Sequence, residues 1–182
     1  MSNDATKQQI RDVLSGKSKI RNGEPIQSIA RYLRSSQKAN RISQSEQQIK
    51  RQEATRIIDF AKRNNLWIEN INTEKYISEG AEQKVYLMNS YHVFKLNDSI
   101  YFTSWLDYLN NLLLHNFFFE DTSYELLGFT SMSNTLYPLV KQNYIQITEA
   151  TNLSSVKQFL EVNGFKNVRN NDYFNQIGRA HV

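Results

Sequence analysis

Hydrophobic positions in the first third of the chain recur at helical spacing. Ile10, Val13 and Leu14 predict a short helix over 4–14, ended by Ser15-Gly16. Pro25 then stands where a first helical turn tolerates it, and Ile26, Ile29, Ala30 and Leu33 fall on one face of a helix reaching about Arg34. A longer helix is predicted over 43–62. Its apolar residues Ile49, Ala54, Ile57, Ile58 and Ala61 make a clear face only in the second half, and Asn64-Asn65 stops it.

Beyond Asn65 the period shortens. Leu66-Trp67-Ile68 reads as a first strand or its approach, with Trp67 as a packing residue. Two or three short antiparallel strands follow, at Tyr76-Ile77, Val85-Tyr86-Leu87 and His92-Val93-Phe94-Lys95, separated by a loop holding Gly80 and a turn at Asn89-Ser90. Helical spacing returns in Trp105, Leu109, Leu112, Leu113 and Phe117, which predict a largely buried helix over 104–117. Ser104 with Asp107 resembles a capping box, and His115 near the other end suits the helix dipole. Segments 124–130 and 135–142 read as a hairpin turning at 131–134, with Pro138 pushing the second strand to a sheet edge or a bulge. A short helix capped by Asn152 or Ser154 carries Val156, Phe159, Leu160 and Val162, closes at Asn163-Gly164, and leads into a loop or hairpin over 165–174.

Composition narrows the class. A chain of 182 residues suits one domain, or a small domain with an appendage. The absence of cysteine excludes disulfides and thiolate metal sites, and the histidines at 92, 115 and 181 show no ligand spacing. The start lacks a signal-like apolar run and no segment is long enough to span a membrane, so a cytoplasmic protein with no membrane partner is expected. Charge is uneven. Residues 1–65 hold 14 Lys and Arg against 6 Asp and Glu, whereas 66–182 hold 8 against 12. A basic segment of this kind reads either as solvated helical faces or as a nucleic-acid surface. It holds no histidine and no catalytic constellation, as expected of a helical adaptor or linker.

The candidate chemistry centres on Lys95. It stands at the end of an apolar strand, where burying an ammonium is costly unless an anion meets it. A nucleotide phosphate is one such anion; a side chain snorkelling to solvent is the alternative. The order of strand, small-residue loop Glu79-Gly80-Ala81-Glu82-Gln83, strand, turn and Val93-Phe94-Lys95 resembles the nucleotide-binding lobe of the protein-kinase superfamily. His92-Val93-Phe94-Lys95-Leu96, Tyr108-Leu109 through Leu113-Leu114-His115-Asn116, and Tyr124-Glu125-Leu126-Leu127-Gly128-Phe129 widen the likeness. Over about 66–173 the chain resembles the kinase-like domains of the large polyvalent proteins of phages and conjugative elements.

That resemblance implies an α+β fold: an antiparallel sheet plus one long helix, in a kinase-like small lobe and the start of a second lobe over 66–176, preceded by the helical segment 1–65. It implies ATP and Mg as cofactors and phosphoryl transfer to a hydroxyl, on a protein substrate that the sequence does not specify, in a bacterial host cell. Backbone N–H groups of Gly80, Ala81, Glu82 and Gln83 would face the phosphates, and Lys95 would hold phosphate oxygens. An acidic partner for Lys95 is expected on the next helix. Asp98 lies in the turn, which leaves Asp107, with Asn110 or Asn111 as neutral substitutes. Lys141-Gln142-Asn143-Tyr144 would be the hinge that meets adenine through its backbone. No catalytic base and no metal ligand of the family pattern falls within the chain. A non-catalytic module of a mobile-element protein, bound to nucleic acid or purely structural, is the other reading. The last residues, Ile177-Gly178-Arg179-Ala180-His181-Val182, match the translation of a common sequencing-library adapter, so the natural chain is expected to continue differently beyond about Gln176.

Overall fold

The structure is a computed structural model that describes residues 3–37, 45–80, 82–145, 150–170, 172–175 and 178–181. Three helices come first. α1 (Asn3–Ser15) ends where Gly16 takes a φ of 78°, a left-handed conformation that glycine adopts at no steric cost. α2 (Glu24–Gln37) opens with Pro25 in its first turn. α3 (Glu46–Arg63) opens on a full capping box. Ser45 Oγ accepts from the Gln48 backbone N–H, and the Gln48 side chain accepts from the Ser45 N–H.

An antiparallel sheet follows from the short-period stretches: β1 (Tyr76–Glu79), β2 (Lys84–Asn89), β3 (His92–Leu96), β4 (Glu125–Met132) and β5 (Thr135–Asn143). All neighbours are antiparallel, in the order β1-β2-β3-β5-β4. Between β3 and β4 runs α4 (Trp105–Phe118), which is buried along Trp105, Tyr108, Leu109, Leu112 and Leu113. Ser104 Oγ accepts from the Asp107 N–H at 3.0 Å, but the Asp107 carboxylate turns to Thr103 and not to the Ser104 N–H, so only half of the expected capping box forms.

The predicted apolar stripe of α2 is fully buried, as are Ile57 and Ala61 of α3, and they share one core with Trp105, Leu109, Leu113, Phe129 and Val140. Packing therefore runs from the helical segment across Asn65 into α4 and the sheet. The opposite sheet face carries a second cluster, in which the Tyr86 and Phe94 rings stack with centroids 4.9 Å apart over Leu96 and Leu139. Alternation along β3 thus sends Phe94 and Leu96 away from α4 and leaves Lys95 on the α4 side.

Three details depart from the sequence reading. Leu66–Ile68 does not enter the sheet beside β1; it pairs with the far edge, where Ile68 N–H donates to the Phe129 carbonyl and Phe129 N–H to the Leu66 carbonyl, both at 2.8 Å. This close approach requires Gly128, because a Cβ there would stand 2.3 Å from the Leu66 carbonyl oxygen. Pro138 lies in β5, which is an interior strand and not an edge. It is tolerated because its partner Phe129 turns its backbone groups outward to Leu66 and Ile68, and because β3 ends at Leu96, opposite Leu139. The turn of this hairpin is narrower than expected, with Ser133 and Asn134 at φ 48° and 63°.

After β5, α5 (Leu153–Val162) is capped by Asn152, whose side chain accepts from the Ser155 N–H. The 165–174 stretch is a hairpin within a second sheet of β6 (Lys166–Arg169), β7 (Asp172–Asn175) and β8 (Gly178–His181). Leu160, Phe165 and Tyr173 cluster against Phe118 at the end of α4. Among the described residues no helix is long and apolar enough to cross a membrane.

Candidate functional site

Lys95 is half-buried between the sheet and α4, one residue before β3 ends. Its neighbour across the ladder on one side is Val85 and on the other Val140, so both flanks are apolar. Burial pulls its pKa below the ordinary lysine value, and among the described residues no anion offsets that pull. The group it does meet is aromatic: Lys95 Nζ lies 5.2 Å from the centroid of the Tyr124 ring, within cation–π range.

Tyr124 in turn gathers the rest of the site. Burial raises its pKa, hydrogen bonds from the Gln83 and Gln142 side chains oppose the shift, and the nearby Glu82 charge adds to it. Its backbone N–H donates to Asn116 Oδ1 at 2.7 Å and its carbonyl accepts from Asn116 Nδ2 at 2.8 Å, which ties the start of β4 to the last turn of α4. Below the ring stands His115, with centroids 4.4 Å apart. His115 Nε2 lies 3.0 Å from the Thr122 carbonyl. Its pKa is lowered, first by burial and also by the Lys95 charge, against the opposing bond to Thr122.

A cavity of about 160 Å³ opens in front of this group, walled by Glu82 and Gln83 from the β1–β2 loop, Asn111 and His115 from α4, Tyr124, and Phe118. The loop, the helix and the tyrosine beneath Lys95 therefore border one space. Of the sequence-predicted residues, Glu82 and Gln83 line this cavity, and Lys95 reaches it only through its contact with Tyr124. Gly80 is exposed, with its N–H on the Gln83 carbonyl at 3.0 Å and open space where a Cβ would stand. Ala81 lies outside the described residues.

Asp107 is at the far end of α4 from this group. Its carboxylate accepts from the Thr103 N–H and hydroxyl at 3.3 and 3.2 Å, and it forms no ion pair with Lys95. Asn110 is held by the Arg34 guanidinium at 2.6 Å on the side of α4 that meets α2, whereas Asn111 faces the cavity. Gln142 and Asn143 run alongside β3 alone, since the last β4 residue paired with β5 is Glu125, opposite Lys141. Their side chains donate to the Thr122 and Asp121 carbonyls at 2.6 and 3.0 Å, closing the end of the sheet against the short 3-10 turn Glu120–Thr122.

Three residues were missed from sequence. Tyr124 and His115 were assigned to a strand start and a helix end, with no sign that either approaches Lys95. Glu53 lies in the segment read as holding no catalytic constellation, yet it is 2% exposed and bonds to the start of α4. A signal existed for Glu53, since it interrupts the stripe Ile49, Ile57, Ala61 at a spacing of four.

An antiparallel sheet of five strands with a half-buried lysine near the end of its third, one long helix beside it and a short glycine-containing loop over the same cavity is a kinase-like small lobe. Residues 50–178 match the family described as Serine/Threonine/Tyrosine Kinase found in polyvalent proteins, and the chain belongs to that family. No curated protein and no solved structure matches it.

The residues present fit a nucleotide in one respect: a half-buried ammonium lies on Tyr124, which lines the cavity, and no salt bridge joins it to a carboxylate among the described residues. They offer less to a metal. Among the described residues no group of three or more His, Asp or Glu side chains could hold an ion.

Proposed function

We propose that the chain is the nucleotide-holding part of an ATP-dependent protein kinase of a mobile element, acting by transfer of the terminal phosphoryl group to a substrate hydroxyl. The observation that carries this reading is Lys95, whose burial is unfavourable for a free ammonium and favourable for one that meets phosphate oxygens. Glu82 and Gln83 of the β1–β2 loop border the cavity beside Tyr124, and the loop would turn backbone N–H groups to the phosphates. The end of β5, at Gln142 and Asn143, would meet the base through its main chain.

In this reading Tyr124 takes the place of the acidic partner. Its ring supports the lysine without neutralising it, so the full positive charge is kept for the phosphates. Magnesium would be carried by the nucleotide phosphates and by carboxylates beyond the residues that match the lobe. No catalytic base is assigned among the described residues, so nucleotide binding is the part of the activity proposed for this lobe.

The test is calorimetric titration of the full chain with a non-hydrolysable ATP analogue, alongside Lys95→Ala. Binding that Lys95→Ala removes supports the reading; equal affinity of the two proteins overturns it.

A further inference from the structure

The helical segment reaches α4 through a buried carboxylate. Glu53 sits in the middle of α3 and its side chain accepts from the backbone N–H of Trp105 at 2.7 Å and of Leu106 at 3.3 Å. These are the first N–H groups of α4, which have no partner inside the helix and carry the positive end of its dipole. A local cap is already present in Ser104, which takes the Asp107 N–H. Ending the helix therefore did not require a carboxylate from 52 residues away. What a distant acceptor adds is position: it fixes where α4 begins relative to α3.

Position at that end is carried to the cavity. An α-helix is close to a rigid rod over this length, so a displacement at Trp105 is passed on to Asn111 and His115 on the cavity wall. Two further ties come from the same segment. Arg34 of α2 donates to Asn110 Oδ1 at 2.6 Å and to the Leu14 carbonyl, and the Arg21 carbonyl accepts from Asn116 Nδ2 at 3.3 Å.

We propose that Glu53 is a positioning residue for the nucleotide site, through which the N-terminal helices set the placement of α4 and hence of His115 and Tyr124 beneath Lys95. This rests on the nucleotide reading above, and its test separates the two. Glu53→Gln keeps an acceptor oxygen for the Trp105 N–H, whereas Glu53→Ala keeps none. With the full chain and a non-hydrolysable ATP analogue, Glu53→Ala is expected to weaken binding about tenfold and Glu53→Gln about twofold, at a temperature where circular dichroism shows both folded.

A second readout needs no nucleotide. The His115 ring proton resonances, followed by NMR against pH, should titrate differently in Glu53→Ala and return toward the wild-type curve in Glu53→Gln. If melting falls while affinity and the His115 titration stay at wild-type values, Glu53 only stabilises the fold and the proposal is overturned. If Glu53→Ala does not fold, the Glu53→Gln titrations decide by the same criterion, with no change in either overturning it. If the wild-type chain binds no nucleotide, the function proposed above fails while the His115 titration still decides the role of Glu53.

Discussion

Lys95 Nζ stands 5.2 Å from the ring centroid of Tyr124, and this aromatic contact occupies the place where an acid was expected. A carboxylate would neutralise the lysine before ligand arrives; a ring attracts the ammonium and leaves its charge available. Tyr124→Leu removes the ring and should cost about 0.5–2 kcal/mol of nucleotide affinity, whereas Tyr124→Phe, which keeps it, should bind more tightly than the leucine variant. Calorimetry on the three proteins checks the order. Equal loss in both variants would show that the hydroxyl, bonded to Gln83 and Gln142, matters more than the ring.

Acid should destabilise the chain through His115. Burial and the Lys95 charge hold its folded pKa below the ordinary value of about 6.5, so the unfolded chain binds the proton first as pH falls. Stability is therefore lost as pH drops from about 6.5 toward the folded value, and above that window the contribution is flat. Thermal melts between pH 5 and 8 should show this slope flattened in His115→Asn, within the roughly 1 kcal/mol that each pKa unit represents.

Gly128→Ala should be among the more harmful small substitutions. The added Cβ would stand 2.3 Å from the Leu66 carbonyl oxygen, which is main chain and cannot swing aside. Breaking the Leu66–Phe129 and Ile68–Phe129 bonds is expected to cost about 2–4 kcal/mol in a urea titration, with the midpoint shifting and little change in slope. A wild-type midpoint would mean that the 66–68 segment does not lie on β4.

Leu33→Ala tests whether the helical segment and the lobe fold together. Leu33 is fully buried in the core that also holds Leu109 and Phe129, so truncation should cost about 2–5 kcal/mol of one cooperative transition. Far-ultraviolet circular dichroism and the fluorescence of Trp67 and Trp105 should report a single shifted midpoint. Two separate transitions, with fluorescence unshifted, would contradict a shared core.

Local pattern carried the elements well. The stripe Ile26, Ile29, Ala30, Leu33 and the run from Trp105 to Phe117 announced buried helices, and alternation around Gly80 and Asn89 announced the first three strands, because each signal is complete within a dozen residues. Relations across long separations were not legible. Glu53 meets Trp105 over 52 residues, and Asn22 meets Ser123 over 101, so neither spacing leaves a mark in the sequence. Pro138 misled for a related reason: its place inside the sheet depends on Leu66 and Ile68 having claimed the Phe129 backbone. For the site, strand register was enough to single out Lys95, but the tyrosine facing it stands just before β4, 29 residues later, and could not be paired with it in advance.

The central claim is that Lys95 is held for a phosphate. Its most direct test is the affinity of the full chain for a non-hydrolysable ATP analogue, compared with Lys95→Met, which keeps the length of the side chain and removes the charge. Losing charge-assisted bonds worth about 1.5–3 kcal/mol each should weaken binding at least roughly tenfold. A Lys95→Met protein that melts like the wild type and binds the analogue equally well would contradict the account.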